Sequence, residues 1–98
     1  MLHIVNKSPY MKSSLESCIR VAQKNDPILL IEDAVLGLAA GGGAESIVQG
    51  ALKDHPVYAL SADISARGLA GNLTSGVKVI DYADFVDLVE QHKPMTWL

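Results

Sequence analysis

The segment Pro27-Ile28-Leu29-Leu30-Ile31-Glu32-Asp33 sets four consecutive apolar side chains between a proline and two carboxylates. A short apolar run closed by turn formers reads as a strand covered on both faces, the pattern of a parallel sheet. Val57-Tyr58-Ala59-Leu60 has the same character. Leu2–Val5 and Val77–Ile80 complete a set of four strands, and Lys78, interrupting the last, places that strand nearer an edge.

The intervals between these runs carry helical patterns. Met11, Leu15, Cys18, Ile19 and Ala22 fall on one helical stripe, and Ser13 with Glu16 has the spacing of a capping box. Near the other end, Tyr82, Phe85, Val86 and Val89 make an apolar helix face, with Asp81 at the N-cap and Pro94 just past the stop. In 33–54, Gly37 and Gly41-Gly42-Gly43 break the pattern, which predicts a helix, a glycine break and a second helix from about Ala44 to Lys53. Ser61 to Gly68 reads as a short helix ended by glycine, followed by an Asn72–Gly76 turn. Strands alternating with helices over short connections require right-handed crossovers. The expected fold is a small doubly wound, Rossmann-like α/β domain, with a mostly parallel sheet of four to five strands and helices on both faces.

The whole chain of 98 residues fits one domain, 1–98, with neither linker nor repeat. A chain this short buries only about 60–65% of the surface exposed when unfolded, so association is expected to help it. Its 8 Lys+Arg against 11 Asp+Glu give a formal net charge of −3, and the basic residues are scattered singly. No dense cationic surface exists to neutralise a phosphate backbone, so direct nucleic-acid binding is not expected. The longest uncharged apolar run, 34–44, is far short of the roughly 20 residues of a membrane span. No basic region precedes an apolar stretch at the start, so no secretory signal is read there. Cys18, the single cysteine, closes no intrachain disulfide and has no partner set for zinc; a reducing cytoplasm fits it best.

In such a sheet, ligands gather at the carboxyl ends of the strands, here Asn6-Lys7-Ser8, Glu32-Asp33, Ser61 to Asp63, and Asp81. The acids could hold magnesium or accept phosphate, but Lys7 and Ser61 stand where a receiver domain would need its acids. Asp33, Asp63 and Asp81 are therefore expected to cap helices. The glycine run lacks the residues of a nucleotide-binding loop and reads as a flexible loop or packing surface. Cys18 could be a thiolate carrying sulfane sulfur, yet its place on a helical stripe is where cysteine usually serves as a small buried hydrophobe. His3 is expected to be a hydrogen-bonded core or rim histidine, and His55 and His92 surface residues. Trp97, in a terminal segment without strand or helix pattern, should dock onto its own domain or onto a partner.

Several segments taken in order are similar to the TusB/DsrH family of sulfur-relay proteins. They are Met1-Leu2-His3 with Lys7-Ser8-Pro9, Leu29 to Asp33 followed by Ala34-Val35, Val57-Tyr58-Ala59-Leu60 with Asp63, Ala66-Arg67-Gly68-Leu69, Ile80 to Val86, and Trp97. Ala34 departs from the glycine common in relatives at that turn. The resemblance implies a cytoplasmic subunit assembling with TusC/DsrF-like and TusD/DsrE-like subunits into a heterohexamer that exchanges persulfide sulfur with carrier proteins. The complex would serve 2-thiolation of tRNA wobble uridine or dissimilatory sulfur oxidation. In the family the principal acceptor cysteine belongs to the TusD/DsrE-type subunit, after its third strand. Leu60-Ser61-Ala62-Asp63 has no thiol there, so a non-catalytic subunit is implied. A cysteine on the first helix is more like DsrH-type members.

The expected interface comprises Arg67, Gly68, Leu69, Phe85 along the last helix, and Trp97. No cofactor or metal is expected, and a homo-oligomer is conceivable for the isolated chain. The alternatives are a sulfur carrier acting through Cys18 itself and, from fold and glycine run alone, a small-ligand-binding module.

Overall fold

The computed structural model describes residues 1–98 as five parallel strands and five helical segments. The strands are β1 (Leu2–Val5), β2 (Ile28–Leu30), β3 (Val57–Leu60), β4 (Lys78–Ile80) and β5 (Pro94–Trp97). The α-helices are α1 (Ser14–Val21), α2 (Glu45–Leu52), α3 (Ser61–Ala66) and α4 (Tyr82–Gln91), with a 3-10 segment at Glu32–Leu38. The sheet order is β4-β3-β2-β1-β5, and every pairing is parallel.

This order explains the distribution of helices. The first three crossovers step in one direction across the sheet, so right-handedness puts α1, the 3-10 segment, α2 and α3 on one face. There Leu15, Cys18, Val35, Leu38, Val48, Ala51 and Ile64 close over Val5, Ile28, Leu30, Val57 and Ala59. The last crossover returns across the whole sheet, carrying α4 over the opposite face. That side has a smaller core of Leu2, Ile4, Leu29 and Ile80, with Phe85 and Leu88 of α4 packed against it. The central strands β1 and β2 are buried at every position, whereas β4 is buried only at Ile80, as expected of an edge.

The structure departs from the sequence expectations at several points. The segment 94–97 is a strand: Leu2 pairs with Pro94, and Val5 with Trp97. Its proline opens an edge strand, where the missing N–H costs nothing. The Ser13–Glu16 capping box does not form, and Ser13 makes no side-chain cap bond. Instead Ser8 organises a turn, its Oγ accepting from Tyr10 N–H at 3.2 Å and its carbonyl from Met11 and Lys12 N–H at 3.0 Å. Ser13 is still the N-cap residue, as that spacing expects, and Met11, which precedes the helix, is 81% exposed rather than on its buried stripe. Between β2 and the glycine break the helix is 3-10 rather than α. Gly37 within it lets Pro9 approach so closely that a Cβ would meet Pro9 Cγ at 2.7 Å. His55, expected at the surface, is buried with Nδ1 3.0 Å from the Asp26 carbonyl oxygen. Asn72–Gly76 is more than a turn, because Thr74 N–H and Oγ–H both donate to Leu38 O, at 2.8 and 3.2 Å.

Candidate functional site

At the carboxyl edge of the sheet, Asp33 and Asp63 do not cap the helices they begin, contrary to expectation, but form a network with Arg67. The Arg67 guanidinium donates to Asp33 Oδ1 at 2.9 and 3.2 Å, lies 3.6 Å from the Asp63 carboxylate and donates to the Asp63 carbonyl at 3.3 Å. Asp63 also accepts from Glu32 N–H at 2.8 Å. That bond holds Glu32 at φ +51°, a left-handed conformation costing a side-chain-bearing residue about 1 kcal/mol or more. The network ties the start of the 3-10 segment to α3. Asp81 caps α4, accepting from Asp84 N–H at 2.9 Å. No three metal-ligating side chains converge here or elsewhere.

Arg67, Gly68 and Leu69 also end α3. Gly68 takes φ +65°, its N–H donates to Ser65 O at 3.2 Å, and Leu69 N–H reaches back to Ile64 O at 3.1 Å. This is a Schellman stop, completed by Leu69 packing on the core that contains Ile64. These three candidate interface residues are thus engaged within their own domain.

Trp97 is half-buried against the larger core, and its indole N–H donates to His3 Nδ1 at 3.1 Å. Because the indole can only donate, His3 carries its proton on Nε2, which donates to Asp26 Oδ2 at 3.0 Å. Partial burial pushes the Asp26 carboxyl up, but hydrogen bonds from His3, Gln23 N–H and the terminal amine, with the amine's charge, outweigh it and hold the carboxyl below its ordinary value. A cleft of about 350 Å³ lies beside this group, lined by Met1, His3, Val21, Gln23, Asp26 and Met95. Both imidazole nitrogens are occupied, so the dyad has neither a free lone pair nor a free proton to offer a ligand. Nearby, Ser14 Oγ–H donates to Leu98 O at 2.7 Å, fastening the end of the chain to α1.

Cys18 is fully buried, and burial, with the charge of Asp26 second, pushes its thiol up to about 12. The glycine run is a packing surface: a Cβ on Gly42 would meet Tyr10 Oη at 3.1 Å and one on Gly43 would meet Tyr10 Cε1 at 3.4 Å. Three of the amides there are already engaged, Ala44 N–H with Tyr10 Oη, Gly41 N–H with the Glu45 carboxylate and Gly42 N–H with the Ala39 carbonyl.

Phe85 stands apart from the other candidates. Its ring packs on the smaller core while its neighbours Tyr82, Val86 and Val89 are 62%, 54% and 36% exposed. Tyr82 and Phe85 stack at 6.5 Å, and the four side chains with Glu90 line a groove of about 380 Å³. No residue of α4 is fully buried. The helix thus leaves a contiguous apolar groove open to solvent. Sequence periodicity found the face; the fastening of Trp97, His3 and Asp26 could not be found that way, because its three members come from distant segments.

Residues 7–95 match the family described as DsrH like protein. Similar sequences include protein TusB of Enterobacter sp. (strain 638), 39% identical over 99% of this chain and 100% of that one. Protein TusB of Escherichia coli (strain K12) is 35% identical, again over 99% and 100% of the two chains. Among solved structures, the ychN protein from E. coli superposes with a TM-score of 0.81 over 97% of each chain, at 20% identity, a likeness of fold.

Proposed function

Because the chain belongs to the DsrH-like family, with TusB proteins as full-length relatives, we propose that it is a non-catalytic subunit of a cytoplasmic sulfur relay. Its partners are TusC-type and TusD-type subunits in a heterohexamer, and the sulfur is passed towards 2-thiolation of the tRNA wobble uridine.

The observation that carries this reading is the placement of thiols. The carboxyl end of β3, where the resemblance puts the acceptor cysteine of the TusD-type subunit, runs directly into α3 through Ser61, Ala62 and Asp63. The one cysteine is sealed on the inner face of α1 and held protonated. A protomer without an accessible nucleophile contributes by positioning another subunit's, and small misplacements of a reacting group cost rate steeply. The full-length TusB relatives, 35–39% identical, support the tRNA-thiolation branch.

The test is native mass spectrometry of this chain co-expressed with TusC-type and TusD-type subunits after loading by a cysteine desulfurase and cysteine. The expected species contains all three chains, with added sulfur mass only on the TusD-type subunit. Co-purification with neither partner would overturn the reading, and sulfur on Cys18 would make this chain a carrier instead.

A further inference from the structure

The face presented by α4 is one-signed as well as apolar. Along the helix and its cap stand Asp81, Asp84, Asp87 and Glu90, with no lysine or arginine between Tyr82 and Gln91. Asp84, Asp87 and Glu90, three residues apart, form a ridge on one side of the helix; all three are exposed, and Glu90 itself lines the groove with Tyr82, Phe85, Val86 and Val89. Lys93 follows the end of the helix, and Lys78 on β4 has its Nζ 5.7 Å from the Tyr58 ring.

We propose that this groove receives an apolar patch flanked by lysine or arginine on a different subunit, and not a second copy of this chain. Two copies meeting α4 to α4 would set the same acidic ridge against itself while desolvating it, and like charges juxtaposed across an interface oppose association. A partner with basic side chains at the rim and aliphatic or aromatic ones at the centre satisfies both halves of the face. Burial of Phe85, Val86 and Val89 supplies the attraction, while the carboxylates set orientation, partner choice and encounter rate. This inference rests on the reading of the chain as one subunit of a hetero-oligomer, and adds which surface is used and what it selects.

The experiment is sedimentation velocity and native mass spectrometry of the full chain, alone and co-expressed with TusC-type and TusD-type subunits, at low and high salt. Val86→Glu and the double variant Asp87→Lys/Glu90→Lys alter exposed positions and should leave the circular dichroism unchanged; Val21→Glu, exposed on α1, is the control. Val86→Glu should weaken the hetero-complex about tenfold or more, as loss of a central apolar contact does. The double variant should weaken it by a similar factor at low salt, the gap from wild type narrowing towards 0.5 M salt as screening removes the rim charges. Val21→Glu should assemble like wild type. A hetero-complex indifferent to both α4 variants would overturn this proposal and leave the relay reading intact. A wild-type chain that self-associates and is made monomeric by Val86→Glu would overturn the choice of partner. Absence of any hetero-complex with the wild-type chain would overturn both.

Discussion

Cys18 shows how far one residue's role depends on enclosure. An exposed thiol of ordinary acidity is partly thiolate at pH 8, whereas one pushed up to about 12 has a thiolate fraction about a thousandfold smaller. Ellman's reagent at pH 8 should leave native Cys18 unmodified and label it promptly in guanidinium chloride; prompt labelling of the native chain would contradict the burial. Since the folded value lies above that of the unfolded thiol, any stability linked to this group is present below about pH 9 and is lost as pH rises from there towards 12. Asp26 titrates in the opposite sense. Its carboxyl is held below its ordinary value, so its contribution is present above that value and is lost as pH falls through the lower, folded one. Acid unfolding followed by the fluorescence of Trp97 should show that limb, and Asp26→Asn should flatten it. The burial of Cys18 was legible from its helical stripe. That of His55 was not, because its partner is a backbone carbonyl supplied by a remote loop at Asp26.

Among the elements, α4 agrees with its sequence signals from the Asp81 cap to the apolar stripe, as α3 does with its glycine stop. Asp81→Ala should cost about 1 kcal/mol in urea denaturation, the ordinary value of a lost N-cap, with an unchanged m-value. Asp63→Ala should cost about 1–3 kcal/mol, because it removes the acceptor that holds Glu32 N–H and one of the two carboxylates facing Arg67. The Asp63 effect exceeds a typical exposed ion pair because a backbone conformation depends on it. Other elements were harder to read. The capping-box spacing at Ser13 and Glu16 was present in sequence, yet the turn begun at Ser8 claimed the preceding residues and the helix started without it. β5 is only four residues long and opens on a proline, too short a run for periodicity to mark; it is ordered by pairing with the open edge of β1. The 3-10 segment follows from Glu32 being held left-handed and Pro9 lying against Gly37, neither of which periodicity can express.

Taken as a whole, the molecule has one thickly covered sheet face and one covered by α4 alone, and this asymmetry follows from the strand order. Alternation of strands and helices made the α/β class legible. Which edge the last strand joins was not, since that depends on a pairing between residues at opposite ends of the chain. Removing residues 93–98 should therefore cost far more than the apolar area of Met95 and Trp97 suggests, because β1 loses its neighbour and His3 loses the indole donor. The truncated chain should lack a cooperative thermal transition by circular dichroism, whereas Trp97→Phe, which keeps the strand, should melt cooperatively with a loss of about 1–3 kcal/mol.

The same pairing has a consequence during synthesis. Pro94 is made 92 residues after its partner Leu2, so at translation rates of about 5–20 residues per second β1 waits on the order of ten seconds for its neighbour. Throughout that interval the nascent chain exposes an unsatisfied strand edge, and on a crowded polysome β5 of one chain can close onto β1 of the next, a domain swap. Slowing elongation should raise the yield of swapped dimers, read by size-exclusion chromatography.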